Sequence, residues 1–422
     1  GKIVYVEDDY EKALMAATYA SLHNSPLVVQ GSVLDDSEDC GNDPCVFDSK
    51  YVILVGDVDC PENALFCEKS DIEKKYLASI ELDKIIFVNP ADLDIFYRQE
   101  GGFTPDKIPD PIYDLYGKTS LAAPFLASAK HEIIISAGGD NYVEFDNSLK
   151  SKINSLKIYP TYLTVMASPL AIPYKTNIGH AIDTTEYADF NSDKHPDVGV
   201  GRIQGMTISD VSSYIARVLF YDNLEKSTGT KFVAGGLSWD KQEKRPLDVA
   251  NEFAKRFKEA GFDSTCGLYV ADDYWSDDYI CAEGYDSSDW ADQHLVVWID
   301  HGGTNYAGIT SSEMPLLKSS VMFSKACSTC ASYDKDSFCN SALRKGAIAY
   351  YGNVWPSLTI DWKVVGVLNG LYYNKLSTGL ALKNFFHSNP VYDYHLTTML
   401  LGDPTLEINP PYSLSMPLED VL

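Results

Sequence analysis

The chain has no apolar run of the roughly 18 residues that a membrane-spanning helix needs, so no span is expected in it. It also lacks a basic opening stretch: it begins GKIVYVEDDY, and any signal or pro-segment is expected to be already missing. Positive charge is scarce, 34 Lys and Arg against 60 Asp and Glu, for a formal net charge of −26. Such a surface repels phosphate backbones rather than releasing their counterions, which argues against a nucleic-acid role. Plain solubility, binding of hard cations through carboxylates, and a salty or hot habitat all fit the acidic excess, and composition does not separate them. Low-complexity tracts and long like-charge blocks are absent too. With 45% hydrophobic and 22% charged residues, the whole chain is expected to fold. At 422 residues it exceeds the length at which a single core stops growing, so two domains are the default.

Nine cysteines are present, and their spacing is informative. Cys40 with Cys45, Cys60 with Cys67, Cys266 with Cys281, and Cys330 with Cys339 are close in sequence, and Cys327 is left over. An even framework plus one odd thiol is what an extracellular disulfide protein with a cysteine nucleophile would carry. Local pairing is one choice among many connectivities, and a reduced cytosolic protein with scattered buried thiols is the alternative. Cys327 and Cys330 also form a C-x-x-C, but no second C-x-x-C is present to complete a zinc site.

The pattern along the chain is α/β. Short apolar runs, YVILVGD (51–57), KIIFVN (84–89), HEIIIS (131–136) and YLTVMAS (162–168), alternate with helix-like stretches and predict a largely parallel sheet covered by helices. An Ala-rich helix running into a β-branched strand occurs at 16–29 and again at 121–135, a faint internal echo. TISDVSSYIARVLFYDNLE (207–225) closes this half as a helix, and STGT (227–230) reads as a linker. The second half restarts with a strand at 231–239 and a helix at 246–261, Pro at its start and Gly at its end. Three more apolar runs follow: HLVVWID (294–300), SVMFSKA (320–326) and GAIAYYG (346–352). The expected organisation is two tandem subdomains with mainly parallel sheets, 1–226 and 227–408, and a tail, 409–422.

Two of the later runs end in chemistry. One stops at His301-Gly302 and the next at Ala326-Cys327, the place where open α/β sheets bind ligands. Cysteine catalysis needs a thiolate, an imidazole to deliver a proton, and donors aimed at the developing oxyanion. The chain between the two residues is long enough for one crossover, so adjacent parallel strands would present both at one sheet edge. Gly302 and Gly303 leave the backbone open to a substrate carbonyl.

HLVVWIDHG and SVMFSKAC resemble the caspase-like clan of cysteine peptidases. DTTEYADFNSDKHPDVGVGRI (183–203), LLGDPTLEI (400–408) and YVILVGD narrow the resemblance to the gingipain-like family. The resemblance implies a caspase-like second subdomain and a cysteine endopeptidase acting on protein or peptide substrates. Cys327 would be the nucleophile, His301 the acid/base, and the N–H groups of Gly302 and Cys327 the oxyanion hole. It further implies a carboxylate that orients the histidine, Asp240 or alternatively Glu243. It also implies a pocket for a basic residue before the cleaved bond, with Trp355 as its wall and Asp361 as its acid. The same dyad could serve a transpeptidase or ligase, and the fold could serve a surface binding module without turnover.

Asp189, Asn191, Asp193 and Asp197 fall at the alternating oxygen-donor spacing of hard cations, and calcium is the expected ion. The Gly and terminal Glu of a full EF-hand loop are missing, and a solvated acidic loop is the alternative reading. DDYWSDD (272–278) with Glu283, Asp286 and Asp289 is a second acidic cluster. The disulfide framework and the resemblance together predict an extracellular or cell-surface location.

Overall fold

Uninterrupted apolar runs become strands that bury both faces, and the Gly, Asn and Asp residues between them end each run. The computed structural model of the protein describes residues 2–30, 51–61, 64–80, 82–89, 92, 118–169, 171–177, 180–182, 184–234, 246–268, 281–283, 286–332, 334, 336–355, 361–388 and 397–418. In chain order the strands are β1 (Lys2–Glu7), β2 (Leu27–Gln30), β3 (Tyr51–Val55), β4 (Phe66–Lys69), β5 (Lys84–Val88), β6 (Ile133–Ser136), β7 (Tyr162–Met166), β8 (Lys175–Asn177), β9 (His180–Ile182), β10 (Gly199–Ile203), β11 (Gly229–Ala234), β12 (Asp263–Leu268), β13 (Cys281–Glu283), β14 (Leu295–Ile299), β15 (Tyr306–Ala307), β16 (Ile309–Thr310), β17 (Val321–Ser324), β18 (Ala349–Asn353) and β19 (Thr398–Gly402). The α-helices are α1 (Tyr10–Leu22), α2 (Ile72–Leu77), α3 (Ala123–Lys130), α4 (Tyr142–Leu156), α5 (Ile208–Leu219), α6 (Pro246–Glu259), α7 (Phe338–Lys345), α8 (Asp361–Leu368) and α9 (Thr378–Ser388).

Local chemistry starts these helices where the sequence predicts, although α5 stops at Leu219, short of the expected residue 225. Thr207 and Asp210 form a reciprocal capping box at the start of α5, a device that stabilises a helix by about 1 kcal/mol. α6 opens on Pro246 and buries Leu247, Ala250, Phe253, Ala254 and Phe257, a helical stripe laid on β11 and β12. Gly261 follows it at φ +103°, a left-handed position that favours glycine. β11 begins at Gly229, so the STGT stretch is partly strand and the connection is shorter than expected.

Eleven strands form one sheet in the order β13-β12-β11-β14-β17-β18-β19-β10-β7-β5-β6. The two halves expected from the sequence meet edge to edge in it. β19 lies between them, antiparallel to β18 and parallel to β10 through the pair Arg202 with Leu401. The junction is tight: a Cβ at Gly201 would lie 2.4 Å from the Gly402 carbonyl oxygen, so glycine there lets the backbones approach. The tail docks on the second half, with Leu418 buried and its N–H donated to Asn369 Oδ1 at 2.8 Å.

One expectation changes. The YVILVGD run is not in this sheet; as β3 it joins a separate four-stranded sheet, β2-β1-β3-β4. The cause is α1, which touches β1 and β2 on one side and β6 and α3 on the other. Met15, Ala16 and Tyr19 of α1 share one core with Val4, Val6, Ile53 and Val55 of the small sheet and Ile85 and Ile135 of the large one. The helix thus packs against residues of both sheets through one shared core.

Candidate active site

β14 and β17 are parallel neighbours in register from Leu295 with Val321 to Trp298 with Ser324, so both end at the same sheet edge. His301 lies just past the first and Cys327 just past the second. The Lys325 N–H to Trp298 oxygen bond, 3.0 Å, continues the ladder one step beyond the strands. The two loops then touch at Gly302. A Cβ there would sit 2.6 Å from the Ala326 Cβ and 2.6 Å from the Tyr306 oxygen, whereas a Cβ at Gly303 would meet nothing within 4 Å. The Phe338 N–H donates to the Thr304 oxygen at 2.7 Å, joining the histidine loop to the far end of the nucleophile loop.

The histidine is clamped through its main chain. Its N–H donates to Asp300 Oδ1 at 2.6 Å, and its carbonyl accepts from the Trp298 indole Nε1 at 2.8 Å. Trp298 stands edge-on to Tyr306. The His301 side chain is 52% exposed and that of Asp300 only 12%, with Asp300 Oδ1 4.0 Å from His301 Nε2. Burial pushes the Asp300 carboxyl above the usual carboxylate range, against the His301 N–H bond and the charges of His301 and Lys325. The Gly302 N–H finds no acceptor among the described residues.

Cys327 is half-buried and unbridged. Ser328 takes a left-handed φ of +53° and donates its N–H to the Trp355 oxygen at 3.3 Å. Asn353 Nδ2 donates to the Lys325 and Ala326 oxygens at 3.0 Å each, while its Oδ1 accepts from Thr398 Oγ1 at 2.8 Å. Cys330, whose N–H reaches the Asn353 oxygen at 2.8 Å, is bridged to Cys339 at the start of α7. The nucleophile turn is thus tied to β18 on one side and to α7 on the other. Sequence reasoning missed Asn353 and Asp300. Neither has a spacing signature, although Asp300 adjoins the histidine.

Of the remaining predicted site residues, Trp355 packs partly buried against the main core two residues past β18, with its carbonyl on the nucleophile turn. Asp361 starts α8, and its side chain lies outside the described residues. Asp240 and Glu243 both lie outside the described residues, as do Cys40, Cys45 and the DDYWSDD cluster. Cys60–Cys67 and Cys266–Cys281 are bridged, with Cα atoms 6.0 and 4.4 Å apart.

The acidic loop 189–197 closes on itself. Asp189 accepts the N–H groups of Asp193 and Lys194, Asn191 Oδ1 that of Asp193, and Asp193 that of His195. Asp197 accepts from the N–H groups of Phe190 and Asn191 and from Asn191 Nδ2. Oxygen atoms at alternate positions have become turn-closing acceptors. Among the described residues no three His, Cys, Asp or Glu side chains converge as a metal site. All four expected calcium ligands thus lie on one loop, where their side-chain oxygens accept hydrogen bonds from its backbone. The loop docks on α9, where Lys383 Nζ donates to the Asp197 oxygen at 2.6 Å and His387 stacks on His195.

An α/β sheet of this topology, with a thiol and an imidazole just past neighbouring parallel strands, is a caspase-like fold. The family model for peptidase family C25 matches residues 48–409, and the chain belongs to that family as a cysteine endopeptidase. Among solved structures it is similar to the Arg specific cysteine proteinase gingipain R, with a TM-score of 0.57 and 14% identity over 78% of this chain and 79% of that one. A chain in the complex of Porphyromonas gingivalis RgpB pro- and mature domains gives a TM-score of 0.56 and 14% identity over 77% and 79%. At this identity the likeness is one of fold. No curated protein matches the sequence. No described helix is long and apolar enough to cross a membrane.

Proposed function

We propose that the chain is a secreted or cell-surface endopeptidase that works through a Cys327–His301 dyad. Cys327 Sγ, as thiolate, attacks the carbonyl carbon of the scissile peptide, and the N–H groups of Gly302 and Cys327 hold the oxyanion. His301 protonates the leaving amine as the C–N bond breaks, giving a thioacyl-enzyme. A water that loses its proton to His301 then attacks the thioester, and the thiol departs with an acid product. The observation that carries this reading is the contact of Gly302 with Ala326, which brings the histidine loop against the nucleophile loop at one sheet edge. Bridged cysteine pairs around an unbridged Cys327 support an oxidising location. A basic residue at P1, read by Trp355 and Asp361, belongs to the proposal through the Arg specificity named for gingipain R.

The test is cleavage of a positional peptide library by the purified chain. Cys327→Ala abolishes hydrolysis and His301→Ala lowers it by about 100- to 10,000-fold, with the fold intact by circular dichroism. Near-full activity in either variant refutes the dyad. Iodoacetamide under native, non-reducing conditions labels Cys327 alone, and several labelled thiols would overturn the oxidised, secreted assignment.

A further inference from the structure

We propose that Asp300 is the positioning residue of the dyad: its carboxylate fixes the His301 main chain and presents a negative charge to the imidazole. The inference rests on the dyad reading above but names a residue outside it. Three observations carry it. Asp300 Oδ1 accepts the His301 N–H at 2.6 Å, which locks the peptide from which the ring projects. The same oxygen lies 4.0 Å from His301 Nε2, beyond a direct hydrogen bond but within strong Coulombic reach. The carboxylate is largely shielded while the ring is open to solvent, so the charge acts on the ring through protein rather than through bulk water.

The chemistry needs this charge. When the Cys327 proton moves to His301, an imidazolium forms, and a fixed carboxylate beside it lowers the cost of the ion pair. Facing Asp300 are His301 from its own loop and Lys325 from the nucleophile loop, and both charges favour its ionised form. Lys325 is 9% exposed, so the carboxylate also gives a shielded ammonium a counter-charge at the base of the nucleophile loop.

Asp300→Asn keeps an oxygen that can accept the His301 N–H and removes only the charge, while Asp300→Glu keeps the charge. On the full chain, kcat, KM and the rate of Cys327 alkylation are measured against pH. Asp300→Asn lowers kcat/KM and alkylation about tenfold at neutral pH with KM unchanged, the scale of one opposite charge at this range. The deficit shrinks as pH falls, because the wild-type carboxyl, its pKa raised from the ordinary aspartate value by burial, is itself neutralised there. Asp300→Glu recovers part of the loss. A deficit that is the same at every pH, or none, overturns the proposal and leaves Asp300 a main-chain cap. Absence of Cys327-dependent hydrolysis in the wild type would instead overturn the peptidase dyad, and the alkylation profiles would still decide the role of Asp300.

Discussion

A methyl group at position 302 has no space to occupy. The Ala326 Cβ, the Tyr306 oxygen and Thr329 Cγ2 at 3.2 Å surround the place where it would go, so the two loops must separate to admit it. Gly302→Ala is expected to cost about 100-fold in kcat/KM, the scale of a misplacement near 1 Å between reacting groups. Gly303→Ala, facing open space, should fold and turn over like the wild type; equal losses in both would show that the gap at Gly302 is not what sets the geometry. At this scale the placement of His301 and Cys327 at one sheet edge was legible, since each ends an apolar run and the two runs pair in parallel. Asp300 was not, because its role depends on a side chain turning back on the next residue's main chain. The acidic loop was legible as a feature: alternate oxygen donors suit a cation and Asx turns equally, and the turn bonds are those the structure shows.

The nucleophile loop shows what element-level reading from sequence lacks. Its far end is held by side chains from the first half. Gln204 Nε2 donates to the Ser332 oxygen at 2.7 Å and to Asn340 Oδ1 at 3.0 Å, and the Tyr174 hydroxyl meets Ser332 Oγ. Arg202, fully buried beside them, donates to the Ala167 and Ile172 oxygens at 2.8 and 2.9 Å and stacks on the Tyr174 ring. All of these partners are distant in sequence, so no window around Cys327 contains them. Because the amide of Gln204 is buried, Gln204→Ala leaves the Ser332 carbonyl and the Asn340 amide short of a bond, at roughly 1–3 kcal/mol. The variant should lose kcat and alkylation rate well below its melting temperature. Unchanged turnover in a merely less stable protein would confine the network to stability. The strands themselves were legible in advance because central parallel strands are apolar on both faces. Their division between two sheets was not, since it depends on the packing of α1.

For the molecule as a whole, buried ionisable groups set how stability varies with pH. Glu132 is fully buried with neither carboxylate oxygen hydrogen-bonded among the described residues. Burial first, then the charge of Asp403, raises its pKa from 4.5 to about 8, against the pull of Lys130 and Lys84. A raised value means that the folded state holds the proton more tightly than the unfolded one. The stabilisation is therefore complete below about pH 4.5 and is lost as pH rises through 8. Buried Asp92, raised to about 7, acts in the same direction, whereas buried His294, lowered to about 4, costs stability on the acid side. Glu132→Gln removes one of these slopes. Its urea midpoint, measured at pH 5, 7 and 9, should gain on the wild type as pH rises, and a constant difference would show that Glu132 keeps no proton in the fold.

The seam of the large sheet also orders the molecule in time. β19, the strand that joins the halves, is the last strand in the described chain, yet it sits between β18 and β10 near the sheet's middle. A ribosome delivers His301 and Cys327 before it delivers residues 398–402, and Thr398, which holds the Asn353 amide, arrives only with that strand. Until that strand inserts, β10 and β18 are two unfinished edges with no ladder between them. The step that closes the sheet therefore waits for residues made after Cys327, and from there to Thr398 the growing chain carries its thiol without the frame that aims it.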